Sequence, residues 1–166
     1  MSKLIVKNAT LNDLNDIASI ELLCFPVLEA ATKNSLKERI SVYSKGFFIG
    51  EIDNKIIGFI NGASTDDSVI KDAFFENMNL HENDGKNLVV FGLDVHPKYQ
   101  RNGYARELMN YFIDFAKQEK KENVILTCKN HLIHYYESFG YVNFGVSESE
   151  HGGAKWYDMI LKLKNN

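Results

Sequence analysis

Apolar and polar residues alternate with two different periods along the first third of the chain. LIVKNA (4–9) has the composition of a short strand, and apolar residues then recur every three or four positions in two segments, which predicts two amphipathic helices. Thr10 and Asp13 have the spacing of a helix capping box. The buried stripes are expected at Leu14, Ile17, Ala18 and Leu22 in the first helix, which ends near Phe25-Pro26, and at Leu36, Ile40 and Tyr43 in the second.

The rest of the chain is predicted to form strands, two helices and a polar segment. FFIGEI and KIIGFINGA are strands that flank the turn residues Asp53-Asn54, and residues 64–86 are rich in Asn and Asp, with a short helix around 73–78. NLVVFGLDV (87–95) is a buried central strand, followed by a helix whose apolar stripe is Ala105, Leu108, Met109, Phe112, Phe115 and Ala116. NVILTC, YVNFGV and AKWYDMILKL are strands, and HLIHYYESF is a short helix. The order β-α-α-β-β-β-α-β-α-β-β predicts a mixed α/β fold with helices on both faces of one sheet.

Composition adds limits to this picture. At 166 residues and 45% hydrophobic, the chain has apolar material for one compact core, so residues 1–166 are expected to form one domain. The net charge of −3, with both signs interspersed, predicts no nucleic-acid-binding surface. No apolar run is long enough to span a bilayer and no signal peptide is evident, so a cytoplasmic protein without membrane attachment is expected. Cys24 and Cys128 are too few for a disulfide framework.

The segment HPKYQRNGYA (96–105) joins the central strand to the following helix. Gly103 lets a ligand approach without a Cβ in the way, and the first turn of a helix offers unpaired N–H groups at the positive end of its dipole. Arg101 and Arg106 can add charge-assisted contacts to phosphate oxygens. A plain loop with solvated arginines explains the same pattern equally well. The segment is neither a Rossmann fingerprint, which needs more glycines, nor a P-loop, which ends in Gly-Lys-Ser/Thr.

Two motifs in the second half resemble those of the GNAT superfamily of N-acetyltransferases. QRNGYA (100–105) is similar to the acyl-CoA pyrophosphate motif Q/R-x-x-G-x-G/A of that family. NHLIHYYESFGY (130–141) is similar to its N-x-x-A-x-x-x-Y-x-x-x-G-F/Y segment, with Ile133 where alanine is usual. The resemblance implies a single N-acetyltransferase domain with a mixed, mostly antiparallel sheet of about seven strands. It also implies an enzyme that uses acetyl-CoA as cosubstrate and acetylates a primary amine directly.

The resemblance carries site residues over to this sequence. Backbone groups of the central strand would meet the pantetheine arm, and the turn would hold the pyrophosphate. Tyr136 would protonate the departing thiolate, since a phenol, with an ordinary pKa of about 10, remains a proton donor at pH 7. Tyr135 is adjacent and is its rival. The cofactor-binding residues implied in this way are Leu93, Asp94, Val95, Gln100, Arg101, Asn102, Gly103, Tyr104, Ala105, Arg106, Asn130 and Tyr136.

Shorter pieces extend the resemblance to the arylalkylamine, serotonin-acetylating branch and its microbial relatives. They are CFPVLEAAT, MNLHENDG, CKNHLIHYYESFGY and AKWYDM. On this resemblance Phe25, Phe91 and Trp156 frame an acceptor pocket whose aromatic walls suit an arylalkyl group or an ammonium. The two histidines that are thought to relay the substrate proton in the vertebrate enzymes correspond to Val89 and Phe91, so that relay is absent here.

The general base therefore stays open from the sequence. Glu29, just after the Phe25-Pro26 break, could bind a cationic amine and pass its proton to water, although a solvated acid in the first turn of the second helix fits as well. Asp94 lies inside the central strand, where a carboxylate is costly unless it is paired. His96 could carry a proton, although a structural role is the plainer interpretation. His81 could line the acceptor entrance, although a surface-loop position is the plainer interpretation.

No metal site is predicted. His131 and His134 have a spacing that can bind metal, but no carboxylate or cysteine partner is indicated, and zinc usually needs three or four ligands. Cys128 ends a strand beside the implied pantetheine channel. Because no base lies next to it in the sequence, core packing is expected rather than an acyl-cysteine.

Two other functions fit parts of the sequence. The same fold and cosubstrate could serve a polyamine or a protein or peptide N-acetyltransferase, and Asp66-Asp67 with Glu148 and Glu150 could form an acidic groove for a polyamine. The missing histidine pair also fits a non-catalytic acyl-CoA-binding sensor, against which Tyr136 argues. Members of the family often form dimers, so a homodimer is an option.

Overall fold

The computed structural model describes residues 3–163 and confirms the predicted order of strands and helices. The strands are β1 (Ile5–Asn8), β2 (Phe47–Ile52), β3 (Lys55–Thr65), β4 (Asn87–Val95), β5 (Asn123–Cys128), β6 (Val142–Val146) and β7 (Tyr157–Lys162). The helices are α1 (Leu14–Cys24), α2 (Lys33–Tyr43), α3 (Asp72–Glu76), α4 (Tyr104–Gln118) and α5 (Ile133–Glu137). Short 3₁₀ turns join several of these elements.

One sheet contains the strands in the order β1-β2-β3-β4-β5-β7-β6. The pairs β1–β2, β2–β3, β5–β7 and β6–β7 are antiparallel, whereas β4 and β5 are parallel, with Leu88 opposite Val124. The last strand lies between the two that precede it, because Ile160 of β7 is opposite Ile125 on one side and Val142 on the other. The predicted seven-stranded, mostly antiparallel sheet is confirmed.

The chain divides into two compact units. The first comprises the described residues up to Gly62 together with Phe91–Phe115, and the second comprises Ala63–Val90 and the described residues from Ala116 onward. Strands β3 and β4 contribute residues to both. A single domain over residues 1–166, whose ends lie outside the described residues, stays a prediction.

In the first unit, neighbouring residues of β2 face different helices. Phe47 stacks on Phe59 of β3, with ring centroids 5.6 Å apart, in the cluster that α1 and α2 cover. Phe48 faces the opposite way, because side chains alternate along a strand, and its ring centroid lies 5.0 to 6.3 Å from three aromatic rings of α4. Each large apolar side chain buried here contributes about 1.5–3 kcal/mol. Within this unit helices cover both faces of the strands, as predicted.

One position of the predicted α1 stripe is wrong. Leu22 is 61% exposed, whereas its neighbour Glu21 turns inward and is 5% exposed. A helix advances about 100° per residue, so residue 21 lies about 20° from Leu14 around the axis and residue 22 about 80°. The apolar character of Leu22 favoured it in the sequence, but helical geometry places the carboxylate on the buried face.

In the second unit, a buried lysine holds the polar segment before β4. Lys121 follows α4 and is 5% exposed, and its Nζ donates to the carbonyls of Asn83 at 3.1 Å and Gly85 at 2.6 Å. Gly85 lies so close to Thr65 that a Cβ on it would come within 2.5 Å of the Thr65 backbone nitrogen. This end of the segment is therefore a packed structural element.

Candidate functional site

The turn between β4 and α4 is held in shape by its own side chains. Gln100 Nε2 donates to the carbonyl of Val95 at 2.9 Å, and Asn102 Nδ2 donates to the carbonyls of Tyr99 at 3.1 Å and Gln100 at 3.2 Å. The imidazole of His96 caps the start of the same turn through Nδ1. His96 therefore has a structural role, and the two amide side chains fix the path of the backbone.

The backbone of this turn is wound tightly before α4 begins. Arg101 and Gly103 have left-handed φ angles of 65° and 85°. Such a conformation costs a residue with a Cβ about 1–3 kcal/mol, so Arg101 stores strain that Gly103 avoids. A Cβ built on Gly103 would have no atom within 4 Å, which means that the space in front of this residue is open. The carbonyl of Gly103 then accepts from the Glu107 N–H at 3.1 Å in the first turn of the helix.

These features fit the pyrophosphate of acetyl-CoA. Helix α4 is 15 residues long and begins at Tyr104, so its first N–H groups have no partner within the helix and lie at the positive end of its dipole. Arg101 and Arg106 are both exposed, one on each side of Gly103 in the sequence. The turn thus offers the open approach, the N–H donors and the cations that a diphosphate needs.

A hydrogen bond from a cysteine side chain joins α1 to the end of β4. Cys24 Sγ donates to the carbonyl of Val95 at 3.2 Å, and burial is the main cause that raises the pKa of the thiol to about 12. The thiol is therefore protonated at neutral pH and is not a nucleophile. Of the residues predicted to meet the pantetheine arm, Leu93 is half-buried, while Val95 and Asp94 are buried.

Four buried polar side chains from four elements line one side of this strand. Glu21 of α1, Arg39 of α2, Asn61 of β3 and Asp94 of β4 each have at most 5% of their surface exposed, and we call them the polar cluster. Arg39 Nη1 donates to Asn61 Oδ1 at 3.2 Å, and its guanidinium lies 4.6 Å from the ring centroid of Phe91. The sequence analysis missed three of the four. The signal that could have found Glu21 and Arg39 is helical spacing, which places both on the apolar faces of their helices.

The surroundings of the Asp94 carboxyl group favour its neutral form. Burial raises its pKa well above the ordinary value, the neighbouring Glu21 raises it further, and Arg39 acts in the opposite direction. No N–H or hydroxyl group of the described residues donates to either Oδ atom. Two adjacent buried carboxyl groups are stable when they share one proton. The pair then carries a single negative charge, and Arg39 balances it.

Glu21 also fixes the loop that follows α1. Its Oε2 accepts from the N–H of Ala31 at 2.8 Å, and the Glu29 N–H donates to the Pro26 carbonyl at 2.8 Å within the same loop. Phe25 and Glu29, the acceptor-side residues predicted in this loop, are both half-buried. The position of this loop therefore depends on the carboxylate of Glu21.

The predicted acid Tyr136 lies in the second unit, within an aromatic cluster. It is half-buried in α5, with its ring centroid 5.2 Å from that of Tyr135 and 5.9 Å from that of Tyr141, both edge-on. Tyr141 is buried, and burial raises the pKa of its phenol well above the ordinary value. Asn130 is exposed and begins the 3₁₀ turn before α5. These contacts orient the Tyr136 ring, and its catalytic role stays a prediction.

Trp156 lies just before β7 and is half-buried. Its Nε1 donates to the carbonyl of His151 at 2.8 Å, and Lys129 Nζ lies 5.7 Å from the indole ring centroid. His151 in turn stacks on Phe75 of α3, with ring centroids 5.3 Å apart. The sequence analysis did not identify His151, whose position depends on a loop that joins distant parts of the chain. These contacts hold the Trp156 side chain in a fixed orientation within the second unit.

His81 has a structural position. Its Nδ1 accepts from the Ser64 N–H at 3.0 Å, so the proton is on Nε2, which lies 2.7 Å from Asn83 Oδ1. Burial is the main cause that lowers the pKa of this imidazole.

Among residues 3–163 no group of three or more His, Cys, Asp or Glu side chains is placed to hold a metal ion. None of the helices in that part of the chain is both long and apolar enough to cross a membrane.

A seven-stranded mixed sheet with an open, glycine-bearing turn before a long helix is the fold that the resemblance to the GNAT family implied. The sequence matches the acetyltransferase (GNAT) family over residues 14–141, which is more than half of the chain. The chain therefore belongs to the GNAT family. The predictions of the GNAT family and of its fold are confirmed, whereas acetyl transfer and acetyl-CoA as cosubstrate stay predictions. The assignment to the arylalkylamine branch stays a prediction.

Two curated relatives are similar to parts of the chain. A protein named "Probable hydrolase YhcX" from Bacillus subtilis (strain 168) is 26% identical over 134 residues, which cover 75% of this chain and 26% of that protein. Human N-acetyltransferase 8 is 27% identical over 119 residues, which cover 70% of this chain and 45% of that protein. The matched region spans less than half the length of either relative.

Solved structures share the fold at low sequence identity. The loading GNATL domain of CurA from Lyngbya majuscula has a TM-score of 0.84 at 16% identity, covering 96% of this chain and 98% of that one. The ribosomal-protein-S18-alanine N-acetyltransferase from Escherichia coli has a TM-score of 0.74 at 17% identity, covering 99% and 96%. YncA from Salmonella typhimurium, solved with acetyl-CoA, has a TM-score of 0.72 at 15% identity, covering 99% and 96%.

Proposed function

We propose that this protein transfers the acetyl group of acetyl-CoA directly to a primary amine, and that the acceptor is a small arylalkylamine. The observation that carries the proposal is the turn before α4. It combines an open approach to Gly103, whose φ is 85°, with the N-terminus of a 15-residue helix and two exposed arginines. Family membership supports the same chemistry.

The turn binds and orients acetyl-CoA, which supplies an activated acetyl thioester when bound. The N–H groups from Gly103 to Arg106 and the side chains of Arg101 and Arg106 hold the pyrophosphate, while Gln100 and Asn102 keep the loop in shape. Leu93 and Val95 offer backbone groups to the pantetheine arm. Because this large handle is held far from the reacting carbon, its binding energy can be used to position the thioester, which supplies a large part of the rate in such reactions.

Tyr136 acts as the general acid in this proposal. A phenol is a proton donor at neutral pH and can protonate the thiolate of the departing CoA. The half-buried ring in an aromatic cluster supports this role, because contacts with Tyr135 and Tyr141 limit its rotation. Asn130, at the start of the same turn-helix segment, contributes to cofactor binding.

Aromatic residues and a carboxylate recognise the acceptor. Phe25, Phe91 and Trp156, each of them half-buried, supply the aromatic groups of this proposal. Glu29 attracts the ammonium group and is a candidate base. A cytoplasmic location and a homodimer complete the proposal.

A polyamine is the second candidate acceptor, supported by acidic groups in the second unit. Glu148 and Glu150 are exposed. The pKa of Asp158 is raised, mainly by burial and also by the negative charge of Glu148. Adjacent carboxyl groups of this kind would suit a substrate with several ammonium groups.

The proposal is tested by following CoA release from acetyl-CoA with a thiol reagent. The acceptors compared are tryptamine, phenethylamine, spermidine and a lysine peptide. Stimulation by the two arylalkylamines is expected, and stimulation by spermidine alone would select the polyamine. Tight CoA binding without release stimulated by any acceptor would instead favour an acyl-CoA sensor.

A further inference from the structure

The loop between β6 and β7, residues 147–156, is bound to α3 through one carboxylate. The Ser149 hydroxyl donates to Asp72 Oδ1, and the Glu150 N–H donates to Asp72 Oδ2 at 3.0 Å. Asp72 is the first residue of α3 and lies 77 positions before Ser149 in the sequence. Within the second unit, a single side chain therefore fixes two consecutive residues of a distant part of the chain.

A ring contact joins the same helix to the next residue of the loop. Phe75 of α3 stacks on the imidazole of His151, with ring centroids 5.3 Å apart and an interplanar angle of 17°. Phe75 lies three positions after Asp72, a spacing that places both side chains on one side of a helix. Ser149 is 7% exposed, and its Oγ also accepts from the His151 N–H at 3.4 Å. Helix α3 thus contacts three successive residues, 149–151.

The composition of the loop explains why such an anchor is needed. Gly152 and Gly153 have φ angles of 64° and 73°, a region that glycine adopts without steric cost. Glycine also loses more conformational freedom than any other residue when it becomes ordered. A Cβ built on Gly153 would have no atom within 4 Å, so this part of the loop is open to its surroundings. Contacts from outside the loop therefore contribute to its order.

The contacts of the loop lead to the indole of Trp156. Its Nε1 donates to the carbonyl of His151 at 2.8 Å, and the two ring centroids are 6.1 Å apart. The Trp156 carbonyl accepts from the Ser147 N–H at 2.8 Å, which closes the base of the loop. A continuous series of contacts thus runs from Asp72 through residues 149–151 to the Trp156 side chain.

We propose that Asp72 is a positioning residue that sets the specificity for an arylalkyl acceptor, because it holds the loop in the conformation that orients Trp156. This inference rests on the proposed function, in which Trp156 is one of the aromatic groups that recognise the acceptor. Asp72 acts through the loop and is assigned no contact with the acceptor. An indole that is already ordered binds an aryl group without the cost of ordering a side chain at each binding event.

The kinetic test compares Asp72→Ala with Asp72→Asn. D72A removes both acceptor oxygens and is expected to raise the KM for phenethylamine about tenfold while kcat stays within about threefold. D72N is expected to match the wild type, because an amide can accept from the Glu150 N–H and donate to the Ser149 hydroxyl oxygen. Glu76→Ala removes an exposed acid from the same helix and is the control for the loss of charge.

Propylamine, which lacks an aryl group, separates specificity from general damage. Its KM, or its inhibition constant against phenethylamine, is expected to be the same in D72A and the wild type. A KM for phenethylamine that is unchanged in D72A would overturn the proposal. So would an equal rise for both amines, since the effect would then not depend on the aryl group.

Fluorescence reports on the orientation of Trp156 without reference to activity, because Trp156 is the single tryptophan of the sequence. In D72A its emission is expected to shift to longer wavelength and its quenching by acrylamide to increase about twofold, as the half-buried indole becomes more accessible to water. D72N and E76A are expected to match the wild type. Unchanged emission and quenching in folded D72A would contradict the positioning role.

Ser149→Ala removes one of the same hydrogen bonds from the side of the loop, so it keeps the proposal testable if D72A does not fold. S149A leaves the bond from the Glu150 N–H to Asp72 in place, and a smaller effect is expected, a rise of about threefold in the KM for phenethylamine. Its acrylamide quenching should increase in the same direction as in D72A. Wild-type values in both measurements would overturn the proposal.

Titration of the CoA-bound protein with phenethylamine, followed by Trp156 fluorescence, separates this inference from the proposed function. A response of the wild type that requires about tenfold more amine in D72A supports the inference even if no CoA release is detected, in which case the proposed function alone fails. No response of the wild type would place Trp156 away from the acceptor and reject the inference. Acetyl transfer with equal amine affinity in both proteins would also reject it, while the proposed function stands.

Discussion

The turn before α4 and the polar cluster belong to the same compact unit but are built in opposite ways. The turn is exposed, is formed by consecutive residues, and is held by bonds from Gln100 and Asn102 to carbonyls no more than five positions away. The polar cluster is buried and is formed by Glu21, Arg39 and Asp94 with one amide, from four separate elements. An exposed anion site needs local backbone geometry, whereas a buried proton site needs partners from across the fold that balance its charge.

The largest expected effect comes from removing one arginine from each region, Arg39 from the polar cluster and Arg101 from the turn. Arg39→Met leaves the shared negative charge of Glu21 and Asp94 without its buried cation, and is expected to lower the free energy of unfolding by about 3 kcal/mol or more. The matched change Arg101→Met, in the exposed turn, should alter stability by less than about 0.5 kcal/mol and should weaken acetyl-CoA binding instead. Urea denaturation and calorimetry measure the two quantities. Equal loss of stability in both variants would show that the cluster is not charge-balanced by Arg39.

Tyr136 lies outside both the turn and the polar cluster, so changing it should affect turnover rather than stability or cofactor binding. Tyr136→Phe removes the proposed acid while keeping the aromatic cluster, so it is expected to lower kcat about 100-fold without changing the acetyl-CoA Kd. Tyr135→Phe is the control and should stay within about threefold of the wild type. If the two variants turn over at the same rate, Tyr136 is a packing residue.

The turn itself is tested by adding a side chain. Gly103→Val forces a branched residue into a φ of 85° and fills the open approach, so acetyl-CoA binding is expected to weaken about 10–100-fold. Gly145→Val imposes the same backbone penalty at a φ of 97° in β6, where a Cβ also has no atom within 4 Å. It should leave acetyl-CoA binding unchanged. An unaltered Kd in G103V would remove the turn from the cofactor site.

The cluster should also give the protein a specific pH dependence. The folded state raises the pKa of Asp94, so the group ionises more readily in the unfolded chain, and stability falls as pH rises from its ordinary range toward the raised value. Asp94→Asn removes this contribution. Relative to the wild type, its free energy of unfolding should rise as the pH is raised from 4 to 7. Parallel pH profiles for the two proteins would contradict the assignment of a neutral Asp94.

The smallest effect is expected on the exposed face of α1. Leu22→Ser should change the free energy of unfolding by less than about 0.5 kcal/mol, because this side chain is 61% exposed. Ile17→Ala on the buried face should cost about 2–4 kcal/mol. A large loss in L22S would mean that Leu22 is covered by a partner in solution.

The sequence was most informative where function depends on neighbouring residues. The strand, glycine and basic residues of segment 87–106 predicted the turn, because a helix start and a left-handed glycine are local features. The polar cluster could not be predicted in the same way. Asp94 alone indicated a costly buried acid, but its neutral form depends on Glu21 and Arg39, which are distant in the sequence.

Side-chain direction explains the remaining differences. The apolar pattern placed α1 correctly but favoured Leu22 over Glu21, since hydrophobicity was given more weight than the helical angle. His96 was a candidate proton carrier and His81 a candidate residue of the acceptor entrance, and the Nδ1 atom of each accepts a backbone N–H bond. Such capping roles depend on loop conformation, which a single sequence leaves open.

The measurement that tests the central claim most directly is transfer of a labelled acetyl group. Acetyl-CoA carrying ¹³C in its acetyl group is incubated with phenethylamine and the wild-type protein, and the products are followed by NMR. We predict a new amide signal that grows at the rate of CoA release and is reduced about 100-fold in Tyr136→Phe. Labelled acetate in place of the amide, or CoA release without dependence on the amine, would contradict direct transfer to an amine.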